Sequence, residues 1–280
     1  MTVYLFPGQG SQFQGMGDGL FTEFPEITRK ASEILGYSLP ALCLENHQDL
    51  LHQTSYTQPA LYTVNALTYL KKKQTEATPK FVAGHSLGEY NALFAAGVFD
   101  FETGLRLVKK RGELMQQATG GAMVAILGLK LDDVKTILEQ NNFNHIAIAN
   151  HNSYTQIVIS GPKEMVDVTQ DKFEQANAKF IPLQVSGAFH SPGMISAQNQ
   201  FKLFLKNFLF SPPKIPIISN FTAKLYTDVD ITKNISEQIT HTVRWLETIE
   251  YILNEGETDF EEIGVGTILT GIMQRIQNGQ

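Results

Sequence analysis

Four consecutive apolar residues, Val3–Phe6, open the chain and break at Pro7-Gly8-Gln9-Gly10-Ser11-Gln12. A run this short with no polar alternation predicts a strand buried on both faces. Apolar residues at helical spacing follow over 24–35 and 59–72. A second short strand is predicted over Phe81–Ala83, with helices over 87–96 and 101–117. Strand, loop, helix, strand, turn, helix is the order of an α/β layer with a mostly parallel sheet.

The period changes after Gly120-Gly121, a natural hinge. AMVAILGL, HIAIAN, TQIVISG and KFIPLQ read as strands; LDDVKTILEQ and EMVDVTQDKFEQA, both within 122–184, read as helices. That β-α-β-β-α-β order is ferredoxin-like. A helix is then predicted over 194–207, a strand over 215–219, and helices over 245–254 and 267–277 around a strand at 259–263. The simplest architecture is an α/β-hydrolase-like large domain from residues 1–121 and 188–280, with a small ferredoxin-like domain, 122–187, inserted.

With 280 residues, 42% hydrophobic and 18% charged, the chain can bury a large core as a globular protein. A net charge of −6 argues against a general nucleic-acid binder. Cys43 is the only cysteine, so no intrachain disulfide is possible and a reducing compartment is expected. CxxC and HExxH spacings are absent. No stretch approaches the ~20 apolar residues of a membrane helix, and the first residues carry no signal-peptide pattern. A soluble cytoplasmic protein without membrane contact is expected; nothing in composition calls for an obligate oligomer, so a monomer is expected too.

Gly84-His85-Ser86-Leu87-Gly88 lies between a predicted strand and helix, as a nucleophile elbow does. On such a turn Ser86 is strained, and the Leu87 N–H at the helix start can face a developing oxyanion. The bland alternative is a small residue in a tight connection. A nucleophilic serine needs a base. Among seven histidines, His85 is adjacent but points away on such a turn, which suits a pocket wall. His47 and His52 fall in a polar loop, His145 and His151 flank a small-domain strand, and His241 begins a helix-like segment. His190, in VSGAFHSPGM, stands where the chain re-enters the large domain and would lie in the interdomain cleft. No acidic residue near it completes a triad. FPGQGSQ lacks a dinucleotide or P-loop pattern and reads as a loop approaching a reacting centre through Gln9, or as a plain turn. Arg111 reads by default as part of a solvated basic face with Lys109 and Lys110; if inward, it needs a carboxylate or similar partner.

Taken together these residues resemble the malonyl-CoA:acyl-carrier-protein transacylases and the related acyltransferases of polyketide synthases. The resemblance runs nearly end to end, through FPGQGSQ, GHSLGEY, KRGELM, NSYTQIVISG, GAFHS, TVRW and IGVGTILTG. It implies Ser86 as acyl-accepting nucleophile and His190 as its base, oriented by main-chain carbonyls. It implies an oxyanion hole from the N–H groups of Gln9 and Leu87, and Arg111 paired with the malonyl carboxylate. Asn152 would line the acyl site and Phe189 matches malonyl-selective members. Tyr154, Val265 and Thr267 depart from the family pattern, at the expected rim. The segment AAGVFDFETGLRLVKKRGELM leans toward free-standing acyltransferases that serve polyketide assembly lines. The resemblance further implies no bound cofactor, malonyl-CoA and the phosphopantetheine thiol of an acyl carrier protein as substrates, and transient contact with that acidic partner. Lys71, Lys72, Lys73, Lys109, Lys110, Lys202, Lys206 and Lys214 are candidates for that contact. The rival readings are an acyl hydrolase acting on acyl-carrier proteins, a generic esterase and a non-catalytic carrier-docking module.

Overall fold

The computed structural model describes residues 2–185 and 187–280; the side chains of His47 and Gln48 lie outside the described residues. Strands β1 (Val3–Phe6), β2 (Phe81–Gly84) and β7 (Phe260–Glu262) form a parallel sheet in the order β2-β1-β7. Every residue of β1 is buried, and the pleat divides them. Tyr4 and Phe6 join the core built with the helices Thr54–Lys73, Gly88–Ala95 and Phe101–Gln116. Val3 and Leu5 join a second core with the helices Trp245–Asn254 and Ile268–Gln277. Helices on both faces explain why the strand is apolar without alternation.

The small domain is a four-stranded antiparallel sheet of β3 (Gly121–Leu127), β4 (Ala147–Ser153), β5 (Gln156–Pro162) and β6 (Lys179–Pro182), ordered β4-β5-β3-β6. Counted within the unit, that is the ferredoxin-like order. One face, with Val124, Ile126, Ile157 and Ile159, packs on its own helices. The other face, with Met123, Ala125, Ala149 and Val158, belongs to the large domain's core. The edge of β4 is pinned to the large domain, where Val243 N donates to Ala149 O at 2.9 Å and His151 N to Val243 O at 3.0 Å. At the crossover between the domains a Cβ on Gly121 would stand 2.1 Å from Ala188 N, so the two connecting segments meet backbone to backbone.

Three sequence expectations need correction. The strand predicted over 215–219 makes only single bridges, Ile217 to Val82 and Ile218 to Leu225, because Pro216 within it has no N–H to give a ladder. The helix predicted over 164–176 is broken into Lys163–Asp167 and Gln170–Gln175, where buried Thr169 turns its hydroxyl onto Val166 O at 2.7 Å. The helix predicted from residue 59 starts at Thr54, one turn ahead of Pro59. Short helices at Leu39–Leu44 and Ile231–Glu237 carry too little periodicity to be read. No described helix is long and apolar enough to cross a membrane.

Candidate active site

β2 runs straight into the turn that holds Ser86, and the helix Gly88–Ala95 leaves it at once. Ser86 has φ +51°, a left-handed conformation that a non-glycine residue keeps only when its surroundings enforce it. Two side chains do so. Asn220 Oδ1 accepts from Ser86 N at 2.7 Å, and Gln238 Nε2 donates to Ser86 O at 2.8 Å. The glycines on either side are equally constrained. A Cβ on Gly84 would lie 2.0 Å from the Gly88 carbonyl, and one on Gly88 would lie 2.0 Å from Phe6 O. The elbow therefore packs directly on β1 and on itself.

His190 comes from the re-entry segment, 104 residues away, with its Nε2 2.8 Å from Ser86 Oγ. Its Nδ1 lies 2.8 Å from Gln238 O, and a carbonyl can only accept. The proton is thus assigned to Nδ1, leaving the Nε2 lone pair for the serine hydroxyl. Among the described residues no carboxylate bonds to His190; a main-chain carbonyl does the orienting. Burial, then the nearby charge of Arg111, push its pKa down to about 3, so the ring is neutral and able to accept a proton at neutral pH.

Arg111 reaches the serine from the helix Phe101–Gln116 and is 1% exposed. Its Nη1 donates to Gln58 Oε1 at 2.7 Å, and its Nη2 to Gln238 Oε1 at 2.9 Å and to Ser86 Oγ at 3.2 Å. Tyr90 lies under the guanidinium at 5.5 Å, and Nε is buried without a partner among the described residues. Among the described residues no carboxylate forms an ion pair with it. A buried cation satisfied only by neutral acceptors is costly, and a bound anion would relieve that cost.

The loop Pro7–Gly10 lies against the elbow, where a Cβ on Gly8 would stand 2.4 Å from His85 O. Asn65 Nδ2 holds Pro7 O at 3.0 Å and Ser11 Oγ holds Gly8 O at 2.9 Å. Gln9 sends its side-chain amide to Thr54 Oγ1 at 3.1 Å, so what it offers the site is its main chain. Neither Gln9 N–H nor Leu87 N–H donates to a described residue. Two free backbone donors flanking a serine are what an oxyanion needs.

These groups open into a cleft of about 360 Å³ whose walls include Met115, Met123, Asn150, Val185 and Phe189. His85 lines it too, but its Nε2 lies 2.8 Å from Asn152 Oδ1 and its ring packs on Trp245. His85 thus ties the elbow to β4, and Asn152 stands behind it while Asn150 faces the cleft. Of the other histidines, His52 reaches the cleft but is paired with Asp49 at 3.4 Å. His241 sits against Glu237, and His47 lies outside the described side chains. Tyr154 donates to Glu250 at 2.9 Å, and neither it, Val265 nor Thr267 lines the cleft, so these departures are not at its rim. Sequence reading missed Gln58, Asn220 and Gln238, whose polar side chains carry no motif. It also passed over Glu89, because a carboxylate in a first turn is ordinarily a surface group that favours the helix dipole.

A neutral imidazole on a strained serine, two free N–H donors and a buried guanidinium can attack and stabilise a carbonyl that carries an anionic substituent. Comparison with known proteins gives this chemistry a family. Residues 3–277 match the acyl transferase domain. The chain is 52% identical over 280 residues to the polyketide biosynthesis malonyl CoA-acyl carrier protein transacylase PksC of Bacillus subtilis (strain 168), covering 99% of this chain and 97% of that one. It superposes on the malonyl CoA-acyl carrier protein transacylase of Burkholderia pseudomallei with a TM-score of 0.97 at 44% identity, over 100% of this chain and 99% of that one. It also superposes on a malonyl-transacylase solved in complex with its type II PKS acyl-carrier protein, with a TM-score of 0.94 at 36% identity, over 99% and 93% of the two chains. With its whole length matched in sequence and in fold, the chain belongs to the acyl transferase domain family.

Proposed function

We propose that the protein moves a malonyl group from malonyl-CoA to the phosphopantetheine thiol of an acyl carrier protein, through an ester on Ser86. The observation that carries this reading is Arg111, a buried cation without an ion-pair partner among the described residues, 3.2 Å from the serine hydroxyl. The malonyl carboxylate supplies the missing counter-charge and swings the thioester carbonyl over Ser86 Oγ. His190 Nε2 takes the hydroxyl proton as Oγ attacks, and the oxyanion rests on Gln9 N–H and Leu87 N–H. Collapse breaks the C–S bond, and the imidazolium returns its proton to the leaving CoA thiolate. The carrier thiol then repeats the sequence on the ester, giving its proton to His190 and restoring the serine. No bound cofactor enters either half-reaction.

The name of the PksC relative supports a polyketide pathway, and the complex solved with a carrier protein supports a carrier as acceptor. For the carrier's acidic surface the candidate lysines are not equivalent. Lys71 and Lys72 are held in ion pairs with Glu23 and with Glu76 and Glu261, and Lys109 donates to Ile34 O. Lys202 lines an open groove with Pro192, Ile195, Glu237 and His241 that begins two residues after His190, and is the better candidate. A single, buried free cysteine supports a cytoplasmic, reducing location.

Initial rates with malonyl-CoA and holo carrier protein test the reading. Parallel double-reciprocal lines are expected from one site serving both halves; intersecting lines count against it. Release of malonate to water at the same rate with and without carrier would favour the acyl hydrolase instead. Phe189, 4% exposed in the cleft wall, is the residue against which an added α-methyl would press. Phe189→Ser is expected to raise methylmalonyl relative to malonyl loading by about tenfold, within the 1–3 kcal/mol a methyl-sized pocket change supplies; an unchanged ratio in competition assays removes that role.

A further inference from the structure

Beneath Ser86 and Arg111 lies a carboxylate that the mechanism leaves unused. Glu89, in the first turn of the helix after the elbow, is completely buried. Its Oε1 accepts from Asn220 N at 2.7 Å and from the Tyr226 hydroxyl at 2.9 Å, and its Oε2 accepts a short bond from Gln238 Nε2. Two of those partners have a second task. Asn220 accepts from Ser86 N and donates to Gly84 O at 2.8 Å. Gln238 donates to Ser86 O, accepts from Arg111 Nη2, and offers its main-chain carbonyl to His190. One carboxylate is therefore a single residue removed from the nucleophile, the base and the guanidinium.

We propose that Glu89 is a positioning residue: as an acceptor-only group it fixes which end of the Gln238 amide faces Arg111. The inference rests on the malonyl-transfer reading. A side-chain amide can be turned end for end, and its environment decides which end points where. Facing an ionised carboxylate, Gln238 must present Nε2; its Oε1 is then left for Arg111, and Nε2 also reaches Ser86 O. A glutamine at 89 keeps the shape and breaks the logic. Its amide oxygen can take the two donors at Oε1, but its NH₂ then meets the NH₂ of Gln238. Turning Gln238 over removes the clash and sets a donor against Arg111 and an acceptor against Ser86 O.

The charge of Glu89 points the same way. Charged and titratable groups around it are Arg111 from the helix Phe101–Gln116, Tyr226 from the loop that follows Ile218, and Tyr90 on its own helix. Burial lifts the Glu89 pKa to about 7, against the pull of its three donors and Arg111. The ionised, orienting form is present above that value and is lost as pH falls through it. His190 stays neutral across the same range.

The test is malonyl and acetyl loading of the whole protein from their CoA thioesters, followed by intact mass between about pH 5.5 and 8.5, across the carboxylate and imidazole ranges. Wild type is expected to load malonyl with an acid limb near pH 7. Glu89→Gln is expected to load malonyl about 100-fold more slowly, the scale of a small misplacement of catalytic groups, with a lower malonyl-to-acetyl ratio and no acid limb. Tyr226→Phe removes one donor that keeps the carboxylate ionised and touches none of Ser86, His190 or Arg111. It is expected to move the acid limb to higher pH while staying within about twofold of wild type at high pH. A folded Glu89→Gln protein that keeps the wild-type rate, ratio and limb overturns the inference. So does a Tyr226→Phe loss that is equal at every pH, and this variant decides alone if Glu89→Gln does not fold. Wild type that loads no malonyl overturns the transfer reading, and this inference with it.

Discussion

Ser86→Ala protein incubated with malonyl-CoA will show no gain in mass, whereas wild type will gain one malonyl group and pass it to holo carrier protein. The expected fall in turnover is about 10³-fold or more, as for loss of the nucleophile in other serine enzymes. Loss of activity through misfolding is not expected. The elbow is held by Ser86 N on Asn220, by Ser86 O on Gln238, and by glycines packed on β1, and none of these contacts involves the hydroxyl. Alanine adopts the same left-handed backbone at similar cost. His190→Ala separates nucleophile from base: the two backbone donors remain, so slow loading persists, lower by about 10²–10⁴-fold. A malonyl adduct that survives Ser86→Ala would move the covalent step to another residue and sink the mechanism.

Why Ser86 was legible in the sequence and its supports were not has a physical explanation. A strained turn between strand and helix leaves no choice but glycine at 84 and 88, so the motif is written locally. Strand β1 and the helices Leu131–Gln140 and Trp245–Asn254 are read to the residue for a similar reason, since β1 is one unbroken apolar run and each helix carries a single helical period. The orientation of His190 is set by the carbonyl of Gln238, 48 residues on, and a carbonyl has no residue identity to read. An acidic third member is therefore not needed to orient His190. Asn220 and Gln238 lie 134 and 152 residues from Ser86 and follow, respectively, a segment that only bridges the sheet and a short polar helix. Asn152 and Asn150 illustrate a finer limit. Both stand on β4, and the irregular pairing of that strand decides which faces the cleft.

Arg111→Ala is expected to cut malonyl loading by about 30-fold to a few thousand-fold, the equivalent of the ~2–5 kcal/mol lost when one partner of a desolvated charge pair is removed. Acetyl loading should fall far less, because an acetyl group has no carboxylate to lose. The ratio of the two is therefore the informative quantity, measured by competition in one tube. The substitution also frees the oxygens of Gln58 and Gln238, so some common loss is expected in both rates. Removing the cation raises the pKa of His190 toward its ordinary value, since the charge of Arg111 is one cause of its depression. Burial, the larger cause, still holds that pKa below the ordinary imidazole value, so the base stays neutral near pH 7 in the variant too. Arg111→Lys discriminates further. It keeps a positive charge but not the planar fork, and a flexible ammonium cannot replace the donors to Gln58, Gln238 and Ser86 together. Its selectivity should fall between wild type and alanine. If alanine leaves the malonyl-to-acetyl ratio unchanged, the buried guanidinium has a structural task and the carboxylate must be recognised elsewhere in the cleft.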